Sequence, residues 1–110
     1  MELLQEAYLL RIFIGENDRF EGQQLYEWLV LQAREQQLAG ATVLRGILGF
    51  GPKSRVYTTK ILRLSQDLPI VIEIVDTKDR LDTFLDSVDH AIQEGMATME
   101  KAEVRFYREQ

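Results

Sequence analysis

The residues best suited to binding chemistry lie between positions 45 and 66. Gly46, Gly49 and Gly51 recur within "RGILGFG" and a run of cations follows: Arg45, Lys53, Arg55, Lys60 and Arg63 all fall in Ala41–Gln66, which holds no Asp or Glu. The chain as a whole carries −5, so this is a cationic island in an acidic background. Glycine lets the backbone turn sharply and lets a ligand come close, and successive amide N–H groups form a concavity that accepts anions. With guanidinium and ammonium groups beside it, the combination suits a small anion such as a phosphate ester. A bulge or tight turn explains the glycines equally well, and a charge run of this length is also the composition of a solvated loop.

Each side chain carries the same choice. Phe50 serves either as a hydrophobic plug at the base of the loop or as a wall for a planar ring. Arg45 sits on a strand, where an interface ion pair competes with a ligand clamp. Of Lys53, Arg55, Lys60 and Arg63, one or two suffice for contacts to a phosphate or an acidic partner.

Other chemistries find no residues to build on. With no cysteine and a single histidine, His90, neither a disulfide nor a zinc site can form, and the lack of cysteine fits a reducing cytoplasm. Asp82, Asp86 and Asp89 share one helical side and read as a solubility face rather than a calcium loop. Trp28 reads as packing, and Met96 and Met99 as gap-fillers before the last strand. No Ser/His/Asp or paired-carboxylate set is placed together. A phosphate cradle of the acylphosphatase kind needs an arginine inside the loop and an amide side chain to orient water, and "GILGFGPKS" supplies neither, so the expectation is not an enzyme. Net negative charge argues against nucleic acid and anionic lipid. Apolar runs such as "LPIVIEIV" are far shorter than the ~20 residues that span a bilayer. The acidic N-terminus reads as a first strand rather than an export signal.

These residues must be positioned by one domain over residues 1–110. "YLLRIFI", Tyr8–Ile14, alternates as a strand. An Asp18/Glu21 capping box predicts a helix carrying Leu25, Tyr26, Leu29, Val30 and Ala33 up to Leu38, with Gly40 as its stop. Ala41–Leu48 and Leu68–Val75 read as strands two and three, joined by about twenty residues, longer than most connections in a compact domain. Leu81, Phe84, Leu85, Val88 and Ile92 mark a second helix, capped by Asp76 or Thr77 and ended by Gly95. "AEVRFY", Ala102–Tyr107, alternates as strand four. The order β-α-β-β-α-β predicts an α+β, ferredoxin-like fold: a four-stranded antiparallel sheet with two helices on one face. Arg11, Arg45 and Glu73 interrupt apolar neighbours on the alternate register. That pattern suits a face shared between subunits and is wrong for stacking RNA bases.

"GATVLRGILGFG", the cationic loop and the returning "IVIEIVD" strand resemble the PII (GlnB-like) signalling superfamily. "RGILGFG" with "LSQDLPIVIEIVD" is similar to its PII-like branch, domain of unknown function one-ninety. The resemblance runs from Leu9 to Phe106. It implies a homotrimer of ferredoxin-like subunits, an effector T-loop between strands two and three, and adenine nucleotides bound in clefts between subunits. Gly49, Phe50 and Gly51 match the glycine corner at the base of that loop, and Arg105 matches a phosphate-binding arginine. Tyr57 lies in the loop without matching the modified tyrosine of PII proteins. Pro52 stands where a cation is expected, with Lys53 and Arg55 displaced from it. Tyr107 takes the place of a second arginine, and "EGMATMEKAEV" lacks the glycine- and lysine-bearing loop that grips ATP. AMP or ADP is therefore easier to accommodate than ATP. The expectation is a cytoplasmic regulatory protein, with no required cofactor, that binds a small anionic metabolite through Arg45, Gly49, Phe50, Gly51, Lys53, Arg55 and Arg105. It would signal through loop 51–65, by Lys53, Arg55, Tyr57, Lys60 and Arg63, to a partner protein such as a membrane transporter. The alternative is an interaction protein with no ligand, whose cationic loop docks directly on an acidic partner.

Overall fold

The computed structural model of the protein describes residues 6–52, the backbone of 57–58, and 67–109. Its centre is a four-stranded antiparallel sheet of order β4-β7-β1-β8, made of β1 (Ala7–Gly15), β4 (Thr42–Arg45), β7 (Pro69–Thr77) and β8 (Met96–Lys101). Two short ribbons join it, β2 (Arg19–Phe20) with β3 (Gln23–Gln24) and β5 (Leu48–Gly49) with β6 (Tyr57–Thr58). Helices α1 (Leu25–Glu35) and α2 (Lys78–Val88) cover one face of the sheet. Alternation along the central strands sends Leu10, Ile12 and Ile14 of β1 and Ile70, Ile72 and Ile74 of β7 into that side. There they meet Leu25, Leu29 and Ala33 of α1 and Leu81, Phe84 and Val88 of α2. Burying an apolar side chain of this size stabilises the fold by about 1.5–3 kcal/mol. This is the expected ferredoxin-like β-α-β-β-α-β arrangement.

Local chemistry differs from the sequence reading at four places. Asp18 and Glu21 form no capping box. Glu21 (φ 49°) and Gly22 (φ 82°) make the two-residue turn of the β2–β3 hairpin, a turn type that needs left-handed residues at both central positions. Asp18 instead accepts the Gly15 N–H at 3.0 Å, and α1 starts later, from Gln24, without a side-chain cap. The stop of α1 is Gln37 (φ 60°) rather than Gly40. Gln37 N–H bonds to the Arg34 carbonyl and Leu38 N–H to the Ala33 carbonyl, the paired bonds of a Schellman ending, with Leu38 folded back against the core. Strand two is shorter than expected, because the sheet pairing of β4 stops at Arg45 and the chain departs into β5.

The fourth difference is the last strand, which is Met96–Lys101 rather than Ala102–Tyr107. Gly95, at φ 150°, does not end a helix but admits the chain to β8. A Cβ there would lie 2.4 Å from the Phe13 carbonyl oxygen. α2 has already given way to a 3₁₀ turn over Asp89–Ala91. At its start the Thr77 hydroxyl accepts the Arg80 N–H at 3.4 Å, and Asp79 sits in the first turn, where the helix dipole favours it.

Candidate functional site

β4 ends where the glycines begin, and their roles separate there. Gly46 donates its N–H to the Pro69 carbonyl at 2.7 Å. A Cβ on Gly46 would approach Pro69 Cγ to 2.7 Å, and one on Gly49 to 3.3 Å. Both glycines therefore let the loop stem lie flat against the first residue of β7. Among the described residues a Cβ on Gly51 would meet nothing within 4 Å, so their packing gives no reason for that glycine. Gly49 pairs with Tyr57 and Leu48 with Thr58, making a two-stranded stem at the loop base.

Beside the stem opens a cleft of about 370 Å³. Phe13, Ile14, Phe50, Pro52, Pro69, Ile70 and Met96 give it apolar walls, with Gly51 at its margin. Phe50 is 69% exposed and stands in the wall rather than filling the base of the loop. Three carboxylates also line the cleft, Asp18, Asp67 and Glu94. The Asp67 side chain accepts the Asn17 N–H through Oδ1 at 2.7 Å. Its Oδ2 lies 2.5 Å from where a residue-15 Cβ would stand, so Gly15 is the condition for its position. Sequence reasoning passed over Asp67, Asp18 and Glu94. The signal available was a glycine closing strand one opposite an Asp-Leu-Pro entry to strand three.

Arg45 is not on the open face of the sheet with Arg11 and Glu73, as its neighbours suggested. It pairs in register with Ile70, on the helix side, and its Nη2 lies 2.6 Å from Glu16 Oε2 of the same chain. Lys53, Arg55, Lys60 and Arg63 lie outside the described residues, and only the backbone of Tyr57 is described.

Arg105 is not on a strand. It follows β8 in a tail over residues 102–109, is 81% exposed, and its nearest carboxylate is Glu103 at 3.7 Å. The tail leaves the sheet beside Ala7, whose carbonyl accepts the Ala102 N–H, and the Tyr107 hydroxyl donates to the Ala39 carbonyl at 2.5 Å. Val104, Phe106 and Tyr107 line a second cleft with Leu9, Glu73 and Val75, so the tail crosses one end of the open face. The Arg108 guanidinium stacks on Phe106, 4.3 Å from the ring centroid.

The glycine corner and Arg105 consequently stand at opposite ends of the sheet. β8 ends opposite Tyr8, while the corner packs on Pro69, which pairs with Gly15. Seven residue steps of extended strand separate those ends by about 23 Å. The fold does not bring the two groups together within one chain.

Two further clusters frame these ends. On the open face the Arg11 Nε bonds Glu73 at 3.0 Å and its Nη1 bonds Glu100 at 2.5 Å, tying β7, β1 and β8 together. The Glu73 and then the Glu100 hydrogen bonds raise the guanidinium pKa further above its ordinary value. At the tail end Asp76, 1% exposed, accepts the Ala39 and Thr77 N–H groups at 2.8 and 2.7 Å and lies 3.6 Å from Arg80 Nε. Arg80 in turn donates to the Gln37 carbonyl, fixing the connection from α1 to β4. His90 packs edge-on against Phe20 and Trp28 packs tilted against it, with ring centroids 5.4 and 4.5 Å from it, which makes Trp28 part of a packing cluster. Among the described residues no cluster of His, Cys, Asp or Glu could hold a metal ion, and no helix is long and apolar enough to cross a membrane.

The family model DUF190, described as uncharacterized ACR, matches residues 7–104. A UPF0166 protein of Aquifex aeolicus is 38% identical over 98 residues, which are 89% of this chain and 92% of that protein. Among solved structures, CPII from Thiomonas intermedia K12, a nitrogen regulatory PII-like protein bound to ADP, AMP and bicarbonate, superposes with a TM-score of 0.67 at 14% identity. The overlap covers 89% of this chain and 87% of that one. A second structure of CPII, bound to ADP and bicarbonate, gives a TM-score of 0.64 at 15% identity with the same coverage. At these identities the likeness is one of fold, and the fold is PII-like.

Proposed function

The chain belongs to the DUF190 family, and from that premise we propose that it is a PII-like regulatory protein rather than an enzyme. In this reading one domain per subunit assembles as a cytoplasmic homotrimer. It binds an adenine nucleotide, AMP or ADP in preference to ATP, in clefts between subunits. The occupied cleft biases the order of loop 51–65, through which the protein engages a partner such as a membrane transporter.

The observation that carries the reading is the separation of the two candidate half-sites. The corner at Gly49–Gly51 has an apolar cleft of small-molecule size, and the tail has Arg105 and the stacked Arg108. In this reading the ligand contacts both halves, and given their separation along the sheet a ligand doing so needs two chains. ADP and AMP bound to CPII, which has the same fold, support the choice of ligand.

Titration calorimetry of the purified protein with AMP, ADP and ATP tests this directly: the first two should give heat, and silence from all three sinks the nucleotide reading. Mixing Gly51→Glu with Arg105→Ala chains should then restore binding that neither variant shows alone, because mixed assemblies regenerate an intact site.

A second reading draws on the carboxylates of the cleft, which do not welcome an anion. The cations of 53–63 would then serve an acidic partner protein directly, without a ligand. Reversing Lys53 and Arg55 to Glu separates the two, since a pure protein contact weakens with salt and with these changes whether or not nucleotide is present.

A further inference from the structure

We propose that Glu16 is the positioning residue of loop 51–65: it ties the two stems of that loop to each other through the turn at Gly15–Asp18, so that they move as one unit. This rests on the reading above in which the loop signals, and it assigns the regulation of that site to a residue outside the glycine corner.

Glu16 touches both stems. Its N–H donates to the Leu68 carbonyl at 2.8 Å on the returning stem, and its Oε2 meets Arg45 Nη2 at 2.6 Å on the outgoing one. The Glu16 side chain is 17% exposed and that of Arg45 58%, so the carboxylate is largely shielded and the guanidinium reaches in to it. Gly46, next to Arg45, donates its N–H to the Pro69 carbonyl at 2.7 Å. A closed circuit results: from Glu16 across to Leu68, along the chain to Pro69, across to Gly46, along the chain to Arg45 and back to Glu16. Asn17 adds a parallel link, donating its N–H to Asp67 Oδ1 at 2.7 Å. A part-exposed ion pair is weak by itself, but one that closes a hydrogen-bonded network strengthens every member.

The turn is braced in its own right. The Gly15 N–H donates to Asp18 Oδ2 at 3.0 Å and the Asp18 N–H to the Gly15 carbonyl at 3.2 Å. The Asp18 carbonyl then accepts the Leu25 N–H at 2.8 Å, where α1 begins. Both stems are therefore referred to one fixed point between β1 and α1. All three parts also line the cleft: Gly15 and Asp18 from the turn, Phe50 and Gly51 from the outgoing side, Asp67 from the returning side. A molecule seated in the cleft touches the circuit, and a displacement of one stem is carried to the other.

Amide hydrogen exchange followed by NMR on the ligand-free protein tests this. Glu16→Gln keeps the N–H for Leu68 and withdraws the charge from Arg45. Protection of the Gly46 and Asn17 N–H groups should fall together, by about fivefold or more, while the central amides of the β1–β7 ladder keep theirs. Asp67→Ala removes the Asn17 acceptor on the returning stem, and protection of Gly46 on the outgoing stem should fall with that of Asn17. Loss at Asn17 alone in Asp67→Ala overturns the proposal, as does Glu16→Gln that leaves both amides unchanged. Equal loss throughout the ladder marks a contribution to general stability and overturns it too. Should Asp67→Ala fail to fold, Glu16→Gln still decides. Calorimetric silence toward AMP, ADP and ATP is a different result, which overturns the nucleotide reading and leaves the coupling of the stems to the exchange measurement, made without ligand.

Discussion

The two faces of the sheet are built from alternate residues of the same strands, yet they are composed by different rules. Toward the helices, Leu10, Ile12, Ile70, Ile72 and Ile74 are closed off from solvent, and among the described residues Asp76 is the single polar one that is buried with them. On the other side, Leu9, Phe13, Val71 and Val75 are half-buried around the Arg11–Glu73–Glu100 network, and Leu44 and Met96 are exposed at the corner end. A face that stays in water needs fewer apolar groups, and one buried in the monomer avoids charge. The open face thus has a mixed composition that neither solvent nor a monomer core favours, while the helix-covered face is composed for stability.

That contrast can be broken experimentally, and the largest effect belongs to the covered face. Phe84→Ala removes a fully buried ring and should lower unfolding free energy by about 3–5 kcal/mol, read from urea denaturation. Asp76→Ala should cost less, about 1–3 kcal/mol, because it strands the Ala39 and Thr77 N–H groups rather than emptying the core. If Asp76→Ala proved as damaging as Phe84→Ala, the covered face would depend on its polar anchor as much as on its packing. The smallest effect on stability belongs to Arg11→Met, whose partners are solvent-accessible. Its denaturation midpoint should stay within error of the native value while sedimentation velocity reports a changed assembly state. A large loss of subunit stability with no change in assembly would erase the distinction between the faces.

The sequence carried the covered face well and the ends of the chain poorly. Leu81, Phe84 and Val88 announce α2 through their spacing, and alternation in Tyr8–Ile14 announces β1 together with its buried side. β8 was missed because it is an edge strand with a single half-buried position, Met99, so "MATMEK" shows little alternation while the exposed tail "AEVRFY" imitates it. Its identity comes from pairing with β1, a contact across about ninety positions that no local pattern records. The turn at Glu21–Gly22 was hidden for a related reason, since Asp18 and Glu21 satisfy a capping rule that the hairpin overrides.

The site divides the same way. The glycine corner was visible as composition, but the difference between Gly46, which packs on Pro69, and Gly51, which meets none of the described residues, depends on a residue far along the chain. Asp67 is an ordinary acid in the sequence. It becomes informative only when Gly15 and Asn17 are seen to hold it. Arg105 lost its expected place on the last strand, because that strand ends at Lys101 and Arg105 follows it in the tail.

Arg11 also guards against misfolding. It is the one charge in the middle of β1, flanked on both sides by strands whose pairing is otherwise specified by generic aliphatic contacts. A strand that slipped by one position would carry its whole side-chain set to the opposite side. Such a slip of β1 would drive a guanidinium among Ile72, Phe84 and Leu81 and leave Glu73 and Glu100 without their shared cation. The network adds little to the stability of the correct pairing, but it makes the neighbouring incorrect one prohibitively costly, and so a weak surface interaction enforces a single alignment of three strands.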